Sequence, residues 1–190
     1  MRNIVIAAAS KPSAEWHDWD GRYPAVVDAL KSAMAPIPAF LLFEHVGSTA
    51  VPNCGGKGII DLIALYRHGF LDRSKEFLVG TGFGRQGAEF SRAWPDDRPM
   101  FLGSFRWDED TFTVYVHVID EASDEVRRFR EFRDRLAADS RLVAEYCSTK
   151  RRIIEEGVQD TDEYAVKKRS VIHKILGRAH ALRKAAKPDI

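Results

Sequence analysis

The sequence predicts an α/β or α+β fold, in which helices flank a small mixed β-sheet and form the C-terminal third of the chain. The texture of the sequence changes near Asp120, with short apolar runs broken by Gly and Pro before it and charged, helix-periodic sequence after it. The chain has 190 residues, of which 45% are hydrophobic and 30% are charged, a balance typical of one folded domain. We expect a single domain over residues 1–190, with a sheet-containing core at about 14–120 and a helical part at about 121–182.

Composition and cysteine content exclude several classes of protein. The 29 Lys and Arg residues nearly balance the 28 Asp and Glu residues, so the net charge alone names no partner. Two cysteines far apart in the sequence form neither a disulfide framework nor a zinc-binding spacing, which predicts a reducing, cytoplasmic location. The apolar run at the start is too short for a signal peptide, and no run approaches the roughly 18 residues of a membrane span. We therefore expect a cytoplasmic protein with no membrane partner.

Six helices or strands are expected in the first two thirds of the chain. Hydrophobic residues at helical spacing predict a helix from Trp16 to Met34, which Pro36 ends. The run AFLLFEHV at 39–46 is too apolar to be half exposed and predicts an internal strand. The remaining segments are a buried strand at 58–66, a short helix at 72–79, and a hairpin of strands at 99–107 and 111–119 with an acidic turn between them.

Three helices are expected after Asp120, because the apolar residues there recur at helical spacing. Their expected ranges are 123–138, 140–156 and 161–182. Ser123, Ser140 and Thr161 stand where N-caps belong, and acidic residues crowd the first turns. The C-terminal third is therefore predicted to consist of amphipathic helices.

Asp61 is the first candidate site residue, because it lies inside the apolar run IIDLIAL. A carboxylate is rarely buried without a partner. One interpretation is structural: Asp61 stands at the end of a strand and pairs with an arginine or a backbone amide. The other is functional: Asp61 projects from the strand end and binds a metal ion.

The segment before this strand carries further polar candidates. Gly47, Ser48 and Thr49 directly follow an apolar strand, and such a turn can aim backbone amides and a hydroxyl group at an anion. Glu44 and His45 come just before the turn. Their position near Asp61 in the sequence adds weight to an anion- or metal-binding interpretation.

His117 stands in the strand TVYVHVID, on the face opposite three valines. A single histidine on a strand is compatible with a purely structural role. Because His45, Asp61 and His117 all lie near strand ends, they also form a candidate set of metal ligands, with Glu44 as a fourth.

Three cationic side chains, those of Arg133, Lys150 and Lys168, point into the apolar stripes of the C-terminal helices. In one interpretation their long stems pass along the core to its rim. In the other they converge on a phosphate group, whose oxygens arginine and lysine bind. A basic run at residues 167–187 is expected to be a solvated face rather than a nucleic-acid interface, since no known nucleic-acid-binding motif accompanies it.

Together these residues resemble the GrpB family, which lies within the wider DNA-polymerase-beta-like nucleotidyltransferase fold. The resemblance begins with EHVGSTAVP at 44–52, continues with Lys57 and IIDL at 59–62, and spans about residues 14–180. Its later parts are VHV around His117, FRDRL at 132–136, Tyr146 with Lys150, and Tyr164 with Lys168.

The resemblance implies a nucleotide-sized cleft lined by the Gly-Ser turn and the strand carboxylate. It makes Asp61 and Ser48 the candidate catalytic residues, with Asp61 also holding a divalent ion such as Mg²⁺, Mn²⁺ or Zn²⁺. The expected partner is a nucleotide or another phosphorylated small molecule. The residues expected to bind its phosphates are Gly47, Ser48, Thr49, Lys57, Arg133, Lys150 and Lys168.

The sequence departs from the active nucleotidyltransferases of this fold at positions that matter for catalysis. Those enzymes pair two carboxylates one residue apart on this strand, whereas here Asp61 is followed by Ile63. The strand of His117 offers no third carboxylate, and Tyr115 stands where the family often has a histidine. Three hypotheses stay open: transfer of a nucleotidyl group to a small molecule, a non-catalytic nucleotide- or metabolite-binding regulatory module, and a single-metal hydrolase using His45, Asp61 and His117.

Overall fold

A six-stranded mixed β-sheet is the centre of the fold, and helices pack on both of its faces. The structure, a computed structural model, describes residues 5–87, 90 and 94–177. Within these residues the strands are β1 (Val5–Ala8), β2 (Leu41–Val46), β3 (Ile60–Tyr66), β4 (Gly84–Arg85), β5 (Met100–Trp107) and β6 (Asp110–Asp120). The helices are α1 (Tyr23–Ala33), α2 (Leu71–Gly80), α3 (Asp124–Ala138), α4 (Ser140–Glu155), α5 (Thr161–Lys167) and α6 (Arg169–Ile175). The α/β fold class predicted from the sequence is confirmed.

The strand order is β1-β5-β6-β3-β2, with the short β4 paired to β5 outside this path. β3 and β6 run parallel, whereas the other strand pairs in the described residues are antiparallel. β5 and β6 form the predicted hairpin, and its acidic turn places Asp108 at a φ of 54°. Leu62 pairs with His45 on one side and with Val116 on the other, so β2, β3 and β6 are neighbours.

The two faces of the sheet bury different clusters, because successive side chains on a strand point to opposite sides. One face packs against α1 and α2 and contains the larger cluster, which includes Leu62 and Val116. The other face lies under α3, where Ile63 contributes to a smaller apolar cluster. Asp61 and His117 belong to this second face, so the polar candidates lie on the side of the C-terminal helices.

β2 is an edge strand, so the prediction of an internal strand at 39–46 is wrong. The exposed fraction of Leu42 is 57%. The run is apolar for a different reason. Leu41 and Phe43 pack on the side of α1 and α2, and Val46 packs under α3. Because helices cover most of both faces of β2, its residues resemble those of an internal strand although one of its edges is unpaired.

The first helix begins at Tyr23, so the predicted start at Trp16 is wrong. Pro24 occupies the first turn, where its missing N–H group would have had no helical partner. The residues before the helix are held instead by the Gly-rich loop, residues 47–58 between β2 and β3. The amide of His17 donates to the carbonyl of Gly56 at 2.6 Å, and the amide of Gly56 donates back to the carbonyl of His17 at 2.8 Å.

The C-terminal helices differ from the prediction at their ends. Ser123 caps α3 as expected, but Asp139 and Asp160 cap α4 and α5, so the predicted caps Ser140 and Thr161 are one residue late. The last predicted helix is two helices that meet at Lys168. Its predicted residues 178–182, and the basic run beyond residue 177, lie outside the described residues. No helix within the described ranges is long and apolar enough to cross a lipid bilayer.

Replacing Leu62 by Ala should lower the free energy of unfolding by about 2–5 kcal/mol, because the side chain is 0% exposed and its loss leaves a cavity. The matched control is Leu42→Ala on the edge strand, which should lower it by less than about 1 kcal/mol because that side chain is largely in water. Urea unfolding of both variants measures the difference. Equal losses would place Leu42 inside the sheet and contradict the strand order.

Candidate functional site

Asp61 lies against the turn that follows β2. It is the second residue of β3 and pairs in register with Val46. Gly47 follows with φ 73° and ψ −167°, a conformation that is readily adopted only by glycine. A Cβ atom on Gly47 would stand 2.5 Å from Oδ2 of Asp61. The turn and the carboxylate therefore share a contact that a larger residue would break.

His117 faces the same carboxylate from the neighbouring strand. Its Nε2 atom is 3.7 Å from Oδ1 of Asp61, beyond hydrogen-bond range but within reach of electrostatic attraction. Its Nδ1 atom is 3.3 Å from Nη1 of Arg98. Because arginine only donates, Nδ1 accepts, and the ring proton is assigned to Nε2, toward Asp61. Arg98 is itself oriented by two hydrogen bonds to Glu125, at 2.6 and 2.5 Å.

Two lysines add positive charge around this carboxylate. Burial, reinforced by repulsion from Lys168, lowers the pKa of Lys57 to about 7. Burial also lowers the pKa of Lys168, against the attraction of Asp61. Burial alone would raise the pKa of Asp61, but the facing His117 ring, followed by Lys168 and Lys57, outweighs burial and holds that pKa below its ordinary value. The carboxylate is therefore ionised at neutral pH, with the His117 ring and two lysines around it.

A cavity of about 330 Å³, here called the main cavity, opens beside these groups between the sheet and the C-terminal helices. The candidate residues that line it are Gly47, Ser48, Asp61, His117 and Lys168. Its apolar wall consists of Phe129, Phe132, Tyr146, Ile172 and Leu176. A side cavity of about 170 Å³ shares three lining residues with it, Asp61, His117 and Lys168, and adds Lys57. Six of the predicted site residues thus line these two neighbouring cavities.

His45 and Thr49 lie on the opposite side of the sheet from Asp61. The Nε2 atom of His45 is 2.9 Å from Oγ1 of Thr49, and that hydroxyl donates to the carbonyl of Ile59 at 3.3 Å. Burial lowers the pKa of His45 to about 4, so this ring is neutral at pH 7. The strand alternation that separates His45 from Asp61 keeps both residues out of a common ligand set.

Glu44 and Arg133 lie on the same side of the sheet as Asp61, but both make their contacts outside the main cavity. Glu44 accepts from Nε of Arg130 at 3.0 Å, and this hydrogen bond lowers its pKa. Arg133 donates to the carbonyl of His45 at 3.2 Å and to Asp134 at 2.8 Å. Neither residue lines the main cavity, because both are held at the outer edge of β2.

Lys150 is buried beneath the Gly-rich loop, with an exposed fraction of 1%. Its ammonium group donates to the carbonyl of Gly55 and stands 4.2 Å from the ring centre of Tyr146. It faces Ser48 across Gly56, where a Cβ atom would lie 2.9 Å from Lys150 Nζ and 3.4 Å from Ser48 Oγ. Lys150 therefore supports the loop from behind, whereas Lys168 reaches the main cavity itself.

The donor set does not fit a two-ion site. Within the residues that the structure describes, no group of three or more His, Cys, Asp or Glu side chains is placed to hold a metal ion. Of the four predicted ligands, Asp61 and His117 alone come together, and the Nε2 atom that faces Asp61 carries the proton. Ile63, the position of the second carboxylate in active enzymes of this fold, is fully buried under α3.

Sequence reasoning missed several residues that shape the cavity. Arg98 orients His117, but no motif sets it apart from other surface arginines. Phe129 and Phe132 belong to the apolar stripe of α3, and helical spacing alone does not distinguish a core residue from one that lines a cavity. His173 also lines the cavity, and its buried Nδ1 atom has no hydrogen-bond partner in the part of the chain that the structure describes.

Comparison with known proteins identifies the family of this chain. A family model described as GrpB protein matches residues 13–178. The chain belongs to the GrpB family. A UPF0157 protein of Pseudomonas aeruginosa is 34% identical over 172 residues, which cover 86% of this chain and 64% of the relative. This GrpB-family chain thus spans less than two thirds of the length of that relative.

Solved structures support the family assignment at the level of fold. GrpB from Enterococcus faecalis is 20% identical, with a TM-score of 0.64 over 91% of this chain and 100% of that chain. The nucleotidyltransferase-fold protein GLD-2, in its complex with RNP-8, is 16% identical, with a TM-score of 0.57 over 90% of this chain and 70% of that chain. At these identities the likeness shows a nucleotidyltransferase-like fold and no reaction.

Replacing Gly47 by Ala should destabilise the protein more than the same change at Gly69. Both glycines have positive φ, 73° and 84°, but a Cβ atom at Gly69 would meet nothing within 4 Å, whereas at Gly47 it would collide with Asp61. Gly69→Ala should cost about 1–2 kcal/mol from backbone strain alone, and Gly47→Ala clearly more. Chemical unfolding measures both. Equal losses would show that Asp61 does not pack against the turn.

His45 should make stability depend on pH. The unfolded chain binds a proton at this residue below about pH 6.5, whereas the folded chain does so only near 4. The stability that the neutral ring contributes is therefore present above pH 6.5 and is lost as the pH falls toward 4. We expect a loss of about 1–2 kcal/mol between about pH 7 and pH 5.

Urea unfolding at both pH values tests this dependence, with His45→Gln as the variant that should flatten it. The control is the same change at a solvent-exposed histidine, His68→Gln, whose side chain is 97% exposed. A His45→Gln protein whose stability falls as steeply as that of the wild type would contradict the prediction.

Proposed function

We propose that the protein binds a nucleotide or another phosphorylated small molecule in the main cavity. The observation that carries the proposal is the two-sided lining of this cavity, with a charged end at Asp61 and Lys168 and an aromatic and aliphatic wall opposite. Its volume of about 330 Å³ lies within the range of small-molecule sites, roughly 300–1,000 Å³. The nucleotidyltransferase-like fold of the GrpB family is compatible with such a ligand.

The charged end has the chemistry that phosphate requires. The ammonium group of Lys168 and the hydroxyl group of Ser48 supply donors, and Arg128 stands at the mouth of the cavity. The neighbouring Lys57 adds positive charge from the side cavity. A polar group of the ligand would also satisfy the buried Nδ1 atom of His173.

The apolar wall would hold the organic part of the ligand. Phe129 and Phe132 of α3 and Tyr146 of α4 present aromatic surface, and α6 adds aliphatic side chains. Flat aromatic rings stack on such surfaces, and apolar walls with a few polar groups are typical of cofactor sites. A nucleobase fits this chemistry better than a bare sugar phosphate does.

Binding is better supported than transfer. Two-ion phosphoryl transfer holds its metals about 3.5–4 Å apart with several carboxylates, and here Asp61 has no acidic partner on β3. Ile63 packs in a closed apolar cluster under α3, so this position offers no ligand to a metal ion. A non-catalytic nucleotide-binding module is therefore our second candidate function. Hydrolysis by one ion is not favoured, because His45 lies on the other face of the sheet.

A divalent ion would be held by Asp61 together with phosphate oxygens of the ligand, as Mg²⁺ is in many nucleotide sites. The protein alone supplies too few ligands among the described residues to keep such an ion. The ion would then arrive with the nucleotide rather than before it. Titrations with and without Mg²⁺ separate these two cases.

Replacing Lys168 by Met should weaken ligand binding about tenfold to a hundredfold, because one charge-assisted hydrogen bond to phosphate is lost while most of the stem is kept. A thermal-shift panel of nucleoside triphosphates, coenzyme A and sugar phosphates first selects the ligand, and isothermal titration then measures affinity. The matched control is Lys167→Met, because Lys167 is exposed and pairs with Glu156 and Glu163. Equal affinities for the two variants would contradict the proposed site.

The affinity of the Asp61→Asn variant, measured in the same titration, tests the position of the phosphate independently. Without Mg²⁺ the variant should bind the selected anion more tightly, because a negative charge beside the phosphate is removed. With Mg²⁺ it should bind less tightly, because the ion loses its protein ligand. Affinity that stays unchanged under both conditions would place the phosphate away from Asp61.

A further inference from the structure

Cys54 and Cys147 come together although 93 positions separate them in the sequence. Cys54 lies in the Gly-rich loop with an exposed fraction of 1%, and Cys147 lies on α4 and is partly exposed. Their Sγ atoms are 4.0 Å apart. Neither thiol lines the main cavity, so the proposed function does not account for this arrangement.

We propose that Cys54 and Cys147 are an oxidation site that hydroperoxides convert into an intramolecular disulfide. Cys147 is the thiol that reacts first, and Cys54 is the resolving thiol. The proposal does not depend on the ligand of the main cavity. It rests on the proximity of the two sulfur atoms, on their unequal exposure and on the groups that surround them.

The exposed thiol has a path to solvent. Cys147 borders a surface groove of about 370 Å³ whose other side is formed by Val51 and Asn53. A molecule as small as hydrogen peroxide reaches its sulfur atom from this groove. Cys54 has no such access, because it is covered by the loop and by α4.

A buried cation lies beside the thiol pair and favours a thiolate there. Hydrogen bonding within the pair, with further attraction from Lys150, lowers the pKa of Cys147 to about 6. The same hydrogen bonding, together with burial, raises the pKa of Cys54. The Nζ atom of Lys150 is 3.6 Å from Cys54 Sγ, and Lys150 and Cys147 lie one helical turn apart on α4. Thiolates, not thiols, attack peroxides, so the exposed member of the pair is the reactive one.

The oxidation is balanced in two steps. The Cys147 thiolate attacks one oxygen of the hydroperoxide, the O–O bond breaks, and the sulfur becomes a sulfenic acid while the other oxygen leaves as hydroxide or alkoxide and takes up a proton. The Cys54 sulfur, losing its proton, then attacks the Cys147 sulfur and displaces the hydroxyl group as water. In total, two thiols and one hydroperoxide give one disulfide, one water and one further molecule of water or alcohol.

The distance between the sulfur atoms must fall from 4.0 Å to about 2.05 Å. Rotation of the partly exposed Cys147 side chain supplies part of this approach. The remainder must come from the loop, which passes through positive φ at Asn53 (62°) and Gly58 (69°). The disulfide would tie the loop that carries Lys57 to the helix that carries Tyr146.

The test treats the folded full-length chain with hydrogen peroxide at about pH 6.5, alkylates the remaining thiols and maps the peptides by mass spectrometry. We expect a peptide pair joined through residues 54 and 147, a loss of both free thiols, and a mass lower by about 2 Da. Cross-linking should be at least about tenfold faster than for the same chain unfolded in guanidinium chloride, where both thiols have ordinary pKa values.

Two variants assign the roles of the thiols. Cys54→Ser should stop at a sulfenic acid on Cys147, which dimedone traps, whereas Cys147→Ser should react with peroxide much more slowly. The rate at which iodoacetamide alkylates Cys147 should reach half its maximum near pH 6.

The proposal is overturned if folded wild-type protein keeps both thiols, forms only intermolecular disulfides or sulfinic and sulfonic acids, or cross-links no faster than the unfolded chain. The wild-type map decides this even if a variant does not fold.

Discussion

The carboxylate of Asp61 is packed against the backbone of Gly47, and this contact determines how the rest of the site is built. It requires a residue without a Cβ atom at the end of β2, and it brings the Gly-Ser turn onto the same face of the sheet as Asp61. The parallel register of β3 and β6 then places His117 beside the same carboxylate. An ionised group in this partly covered position needs partners, and the Nε2 proton of His117 and the amino groups of Lys57 and Lys168 face it.

This balance of charges explains why an anion is the expected ligand. Asp61 lies near both Lys57 and Lys168, whereas Glu125, the other carboxylate that lines the main cavity, is already paired with Arg98. Both lysines have lowered pKa values because they are buried and close to other positive charge. A phosphate entering the main cavity would relieve that repulsion and raise those pKa values again. The shared fold does not bring a complete metal site with it. The nucleotidyltransferase-like fold provides the turn and the first carboxylate, whereas Ile63 occupies the position of the second carboxylate.

The sequence predicted which segments form helices and strands better than it predicted where those segments lie in the fold. Apolar runs located β3 and β6, and helical spacing located α3 and α4. The edge position of β2 was not predictable, because helices that cover both faces of a strand leave the same apolar pattern as flanking strands do. The start of α1 was missed because the segment around His17 is held by the distant Gly56 rather than by local spacing.

For the site, the sequence identified the Gly-Ser turn, Asp61, His117 and Lys168, which line the main cavity. It also grouped His45 with them, because position near a strand end says nothing about which face a residue occupies until the register is known. Arg98 and the contact between Cys54 and Cys147 depend on chain segments that are far apart in sequence. One sequence without relatives carries no signal for such contacts.

The most direct test of the central claim is an NMR titration of the ¹⁵N-labelled protein with the nucleotide selected by thermal shift. If phosphate binds at the charged end of the main cavity, the amide signals of Gly47 and Ser48 should move together with those of Lys168 and Phe132, and they should saturate at one affinity. The signals of Gly69 and Gly157, which lie in exposed turns away from the cavity, should stay in place. Shifts confined to the α1 face of the sheet, or no shifts at all while the ligand binds by calorimetry, would contradict this account.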